Sequence, residues 1–141
     1  DIVKSIRDRY DGEKRNPWNE FECGSNYARS MASFALLISY SGFVYDMTRG
    51  EMGFRPVSQE RNQRYFWSLD CAWGEFEMNE AGARLTVIEG ELPIKRWVLP
   101  FAGAVKRLER GGEPVEFALD GGALAFECRP IGAGESLTAM R

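Results

Sequence analysis

The chain has 141 residues, of which 44% are hydrophobic and 28% charged, and a net charge of −3. That is enough apolar content for one ordinary core and too little for two large domains, and it marks a folded chain rather than a disordered one. With no basic face implied, nucleic acid is not an expected partner.

No histidine occurs anywhere. This removes Ser-His and Cys-His nucleophiles, histidine general bases and most zinc sites. No metal and no cofactor is therefore expected, and any proton chemistry falls to carboxylates. Cys23, Cys71 and Cys128 are far apart and odd in number, so they read as reduced, mostly buried thiols. No apolar run is long enough to cross a bilayer, and no secretory pattern opens the chain, so no transmembrane segment is expected. The first residue is Asp rather than Met, which reads as a chain excised from something longer.

In chain order, Asp1–Tyr10 reads as the end of a helix, with Ile2, Val3 and Ile6 on one face and Asp11-Gly12 as its stop. Glu13–Gly24 is an irregular loop, because Pro17 disfavours helix at Asn16. A second helix starts at Ser25 or Asn26 and runs to Ser41, before Gly42. Tyr27, Met31, Phe34 and Ile38 recur at helical spacing, and Ala28, Ala32, Ala35 and Ser39 recur on a neighbouring stripe. A helix apolar or small nearly all round is expected to be buried on several sides, in a larger helical layer. Asp46–Pro56 reads as a connector. From Tyr65 the apolar period changes to two, and short strands follow at Tyr65–Leu69, Trp73–Met78, Arg84–Ile88, Lys95–Leu99 and Ala104–Leu108. Pro93 marks a bend, and Asp120-Gly121-Gly122 marks a tight hairpin between Val115–Leu119 and Ala123–Cys128. Regular turns between short strands point to an antiparallel sandwich.

The stretch Asn16–Arg29 carries the most chemistry. It gathers Asn16, Trp18, Asn19, Glu20, Glu22, Asn26, Tyr27 and Arg29 into one loop and a helix start. Planar polar groups beside aromatic rings suit a sugar, whose hydroxyls take hydrogen bonds and whose C–H face takes an aromatic wall. Glu20 and Glu22 do not make a glycosidase acid/base pair, since neighbours two apart on one strand do not face each other across a sugar. One carboxylate accepting from hydroxyls, with Arg29 donating to them, is the functional alternative. From spacing alone, a carboxylate near a helix N-terminus with Arg29 as its surface ion pair is the better account. Likewise Trp18 after Pro17 reads alone as a packing plug, and Asn16, Asn19 and Asn26 as braces of the loop. Trp67 and Trp73 could form a carbohydrate platform on the sheet, although sandwich core is the commoner fate of such residues.

The run from Asn16-Pro-Trp-Asn-Glu-Phe-Glu-Cys-Gly-Ser-Asn-Tyr-Ala-Arg-Ser-Met-Ala to Ser33 resembles glycoside hydrolase family 116, which includes non-lysosomal glucosylceramidases and bacterial β-glucosidases. Ser41-Gly-Phe-Val-Tyr-Asp46, Met52-Gly-Phe-Arg-Pro56, Phe66-Trp67 and Ala72-Trp-Gly74 extend the resemblance over about residues 10–75. Ser25-Asn26 stand where a His is frequent in the family. The resemblance implies an α+β chain. Its N-terminal helices (residues 1–60) would be the last of an (α/α)6 barrel, and an antiparallel β-sandwich-like region (residues 61–141) would pack on them. It implies a retaining hydrolase of β-glucosides or related sugars. Glu20 and Arg29 would contact sugar hydroxyls, with Trp18 and Asn19 nearby. The catalytic carboxylates would lie in an upstream barrel of the same protein, leaving the isolated chain inactive. The rival accounts are a non-catalytic carbohydrate-binding module and a structural or assembly module.

Overall fold

A computed structural model describes residues 1–10, 13–14, 30–58 and 60–141. The chain divides into two units, Asp1–Leu37 and Ile38–Arg141. The first holds a six-residue helix, α1 (Ile2–Arg7), and most of a second, α2 (Ser30–Ser41). In α1 the Ser5 amide donates to the Asp1 carbonyl at 2.9 Å, and Lys4 pairs with Asp8 one turn on at 2.7 Å.

Among the described residues, the second unit holds twelve strands. In order these are β1 (Phe43–Asp46), β2 (Glu51–Phe54), β3 (Gln63–Ser68), β4 (Ala72–Met78), β5 (Gly82–Leu92) and β6 (Arg96–Val98). After a 3-10 turn at Ala102–Ala104 come β7 (Arg107–Arg110), β8 (Glu113–Pro114), β9 (Phe117–Asp120), β10 (Ala123–Phe126), β11 (Ile131–Gly132) and β12 (Ser136–Met140). One sheet runs β1-β2-β6-β10-β9. The other runs β3-β4-β5-β12-β7-β8, with β11 beside the far end of β5. All pairings are antiparallel except β2 with β6, which run parallel through Glu51↔Arg96, Met52↔Trp97 and Gly53↔Val98.

The two sheets share one core because alternate residues of each strand point inward. Phe54 stacks on Phe76 across the sheets at 4.1 Å between ring centroids, and Phe76 meets Trp97 edge-on at 6.5 Å. Met52, Leu85, Val87, Leu92, Ile94, Leu108, Leu124, Ile131 and Leu137 complete the fully enclosed centre.

Two close backbone approaches fix the start of this unit. Gly42 ends α2 at φ +57°, and its carbonyl accepts the Arg55 amide at 2.9 Å; a Cβ there would sit 1.9 Å from the Arg55 carbonyl oxygen. A Cβ on Gly53 would sit 2.1 Å from the Val98 carbonyl oxygen, so the parallel β2–β6 contact requires glycine. The same contact carries a largely buried ion pair. Arg96 donates from Nε to Glu51 at 2.8 Å and also binds the Asp120 carboxylate, tying β2, β6 and β9 together.

The expected α+β architecture, with N-terminal helices closing an (α/α)6 barrel, does not hold. Among the described residues there are two helices, of six and twelve residues, against twelve strands in two sheets. The physical reason lies in Asp46–Pro56, read as a connector. Asp46 accepts from the Thr48 amide at 3.0 Å and from its hydroxyl at 2.6 Å, which makes a tight turn and converts the flanks into the β1–β2 hairpin. The Thr48 hydroxyl also holds the Asp46 carboxyl below its ordinary pKa. Gly42, at φ +57°, ends the helix at Ser41 ahead of that hairpin. Phe34 and Ile38, expected to be buried, are exposed in this chain, Phe34 by 61%, as are Leu36 and Tyr40. The expected strand at Ala104–Leu108 begins only at Arg107, after the 3-10 turn.

Gly53→Ala should destabilise the fold by about 3 kcal/mol, the upper range for a methyl forced into close packing. Arg96→Met should cost roughly 3 kcal/mol, because Glu51 keeps its burial and loses its nearest cation. Chemical denaturation of the purified variants measures both.

Candidate functional site

Trp18, Asn19, Glu20 and Arg29 lie outside the described residues, as do Asn16, Glu22, Cys23, Asn26 and Tyr27. The described residues carry a second constellation of the same chemical kind, on the outer face of β3, β4 and β5.

Strand parity builds it. In β4 the residues Ala72, Gly74 and Phe76 face the core, so Trp73, Glu75 and Glu77 face outward. Register sets Ser68 opposite Trp73, Phe66 opposite Glu75 and Arg64 opposite Glu77. On the other side Glu75 meets Thr86 and Glu77 meets Arg84. A bulge between Trp73 and Gly74 shifts the pairing with β5 and leaves Ile88 exposed. The resulting stripe has apolar rings at one end and planar polar groups at the other. Phe66 and Trp73 are both exposed, with ring centroids 6.2 Å apart and planes tilted by 46°. Arg64 binds Glu75 through Nη2 and lies 3.7 Å from Glu77 through Nε. These carboxylates raise the Arg64 pKa, Glu75 first through its hydrogen bond. Past Arg64, Glu77 and Arg84 the stripe opens into a cleft of about 510 Å³ that Asn79 and Thr138 also line.

The arrangement offers the side-chain types of a binding face. An open aromatic pair offers stacking surface, and the guanidinium and carboxylates offer fork-shaped donors and acceptors. Glu75 and Glu77 stand side by side on one strand and share one arginine, so they cannot flank a glycosidic bond from opposite sides. Among the described residues no three histidine, cysteine, aspartate or glutamate side chains converge on a metal position. No helix among them is long and apolar enough to cross a membrane.

The two tryptophans named as a platform part company. Trp67 is 2% exposed and packs in the core over Gly74, where a Cβ would lie 2.9 Å from its ring. Trp73 is 38% exposed, and its outward partner is Phe66. The signal for this was present in the sequence. Trp73 shares parity with the acidic Glu75 and Glu77, whereas Trp67 follows Phe66 and must point the other way. The cysteines also depart from expectation. Cys71 and Cys128 are exposed thiols, Cys71 with its pKa raised by partial burial and then by Asp70, while Cys23 is not among the described residues.

In comparison with known proteins, no protein-family model matches this chain and no curated protein matches its sequence.

Trp67→Ala should lower stability by about 3–5 kcal/mol, as for other buried tryptophans, whereas Trp73→Ala should stay within about 1 kcal/mol of the parent. Urea denaturation followed by circular dichroism separates the two.

Proposed function

We propose that this chain is part of a retaining glycoside hydrolase related to family 116, supplying contacts to the sugar rather than the reacting carboxylates. One observation carries the reading: the block Asn16–Ser33, with Glu20 and Arg29 at the family's spacing and Trp18 and Asn19 nearby. In such a site Glu20 accepts from and Arg29 donates to hydroxyls of the innermost sugar, while Trp18 and Asn19 complete the wall. Hydrolysis in the whole enzyme is a double displacement by two carboxylates outside these 141 residues, through a covalent glycosyl intermediate. Hydroxyl contacts of this kind tighten as charge develops on the ring, so their loss falls on kcat/KM. In the whole enzyme, Glu20→Ala and Arg29→Ala should each lower kcat/KM on an aryl β-glucoside by roughly 10- to 100-fold, the equivalent of one or two charged hydrogen bonds. Unaltered kinetics in both variants would remove the assignment.

The tilted Phe66–Trp73 pair beside Arg64 favours a second reading, in which the β-sheet unit holds a glycan without cleaving it. Calorimetric titration of the intact chain with a β-linked glucose oligosaccharide tests it. Trp73→Ala and Phe66→Ala should each weaken binding about tenfold, the worth of one stacked ring. Equal affinity in the parent and both variants would exclude this face.

A further inference from the structure

Arg110 is the most anomalous side chain among the described residues. It ends β7 on the same inward face as Leu108 and is 8% exposed. Neither its Nε nor its Nη2 has a hydrogen-bond partner. These two nitrogens are not an arbitrary pair. Their N–H bonds lie parallel along one edge of the guanidinium, the edge that takes a carboxylate by two parallel hydrogen bonds. A buried edge of this kind left empty is costly, so the position calls for an acceptor with two oxygens.

Arg110 lines a cleft of about 700 Å³ whose other charged residues are Glu113, Glu116, Glu127, Arg129 and Glu135. The walls are held by the backbone. The Gly111 amide donates to the Ser136 carbonyl and the Val115 amide to the Leu108 carbonyl, at 2.9 and 2.8 Å. None of the cleft's carboxylates fills the empty edge. Glu135 accepts from the Gly132 amide at 2.8 Å, while Glu113, Glu116 and Glu127 stand at exposed positions and make no ion pair with Arg110. Burial and then the like charge of Arg129 lower the Arg110 pKa, against the opposing charges of Glu135, Cys128 and Glu127.

The remaining charges narrow the ligand. A simple anion would meet four carboxylates against two guanidiniums, and a simple cation would leave the Arg110 edge empty. A molecule carrying both charges satisfies both parts. We infer that this cleft binds a small zwitterion of the basic amino-acid class, its carboxylate on the Nε/Nη2 edge of Arg110 and its ammonium groups on the surrounding glutamates. Both nitrogens are shielded from solvent, so binding requires the cleft wall over them to shift. The inference is independent of the sugar-binding reading.

The test is a calorimetric titration of the intact chain with L-lysine, L-lysine methyl ester and acetate. L-lysine should give saturable binding. The methyl ester, which lacks the carboxylate, and acetate, which lacks the amines, should each bind at least about tenfold more weakly, since each forfeits a charge-assisted contact. Arg110→Lys keeps the charge and loses the fork, and should abolish lysine binding. Should that variant fail to fold, Glu127→Gln, at an exposed position, should weaken lysine about tenfold while leaving the thermal midpoint in place. No saturable response to lysine, equal affinity for its methyl ester, or an unaltered affinity in Glu127→Gln with Arg110→Lys still binding would each overturn the proposal.

Discussion

The structure turns on the aromatic junction between its two sheets. Phe54 comes from a hairpin that precedes the seven-stranded sheet in sequence, Phe76 from β4 of that sheet, and Trp97 from the strand that returns to the first. Stacked and edge-on rings of this size bury more apolar surface than any aliphatic pair. They hold both layers at one spacing, so the outward parity of every neighbouring strand follows. Trp73 faces solvent because Phe76, three residues on, faces the core. Arg110 is buried because Leu108 beside it belongs to the same layer.

Much of the β region was legible. The alternation in Trp73–Met78 located β4, Asp120-Gly121-Gly122 located the β9–β10 turn, and Pro93 marked the end of β5 at Leu92. These are local signals in which side-chain period and turn chemistry agree. Three features were hidden for physical reasons. The β1–β2 hairpin has only four residues on each side, too few for a period to show. Gly42 and Gly53 gave no hint of how near another backbone lies, because that approach exists only in three dimensions. The parallel β2–β6 pairing joins segments with no local relation. For the sites, the sequence offered the carboxylates, amides and rings of residues 16–29 as chemistry, while the outer face of β3–β5 was readable only through strand parity. The Arg110 cleft was not readable at all. Lys106, Arg107 and Arg110 form a basic cluster in the sequence, yet β7 alternates and sends Arg110 inward, away from Arg107.

The three places where polar chemistry gathers differ in what they can do. The stretch 16–29 has the donors and acceptors of a sugar contact, and its standing rests on the spacing of its residues. The Phe66–Trp73 face is open and shallow, suited to a ligand with flat apolar surfaces. The Arg110 cleft is polar throughout, and its defining element is a missing acceptor rather than a surplus one.

The parallel β2–β6 pair has a consequence for how the chain reaches this state. Glu51 and Arg96 are 45 residues apart, and the whole β3–β5 meander lies between them. Hairpins such as β3–β4 and β9–β10 close over a few residues, whereas β2 meets β6 only by closing a long loop, and that loop entropy comes before any reward. The meander should therefore form first and bring the two ends together. Until it does, the β1–β2 hairpin presents an unpaired edge with Met52 and Phe54 uncovered, the moment at which a newly made chain is most open to pairing with another copy of itself.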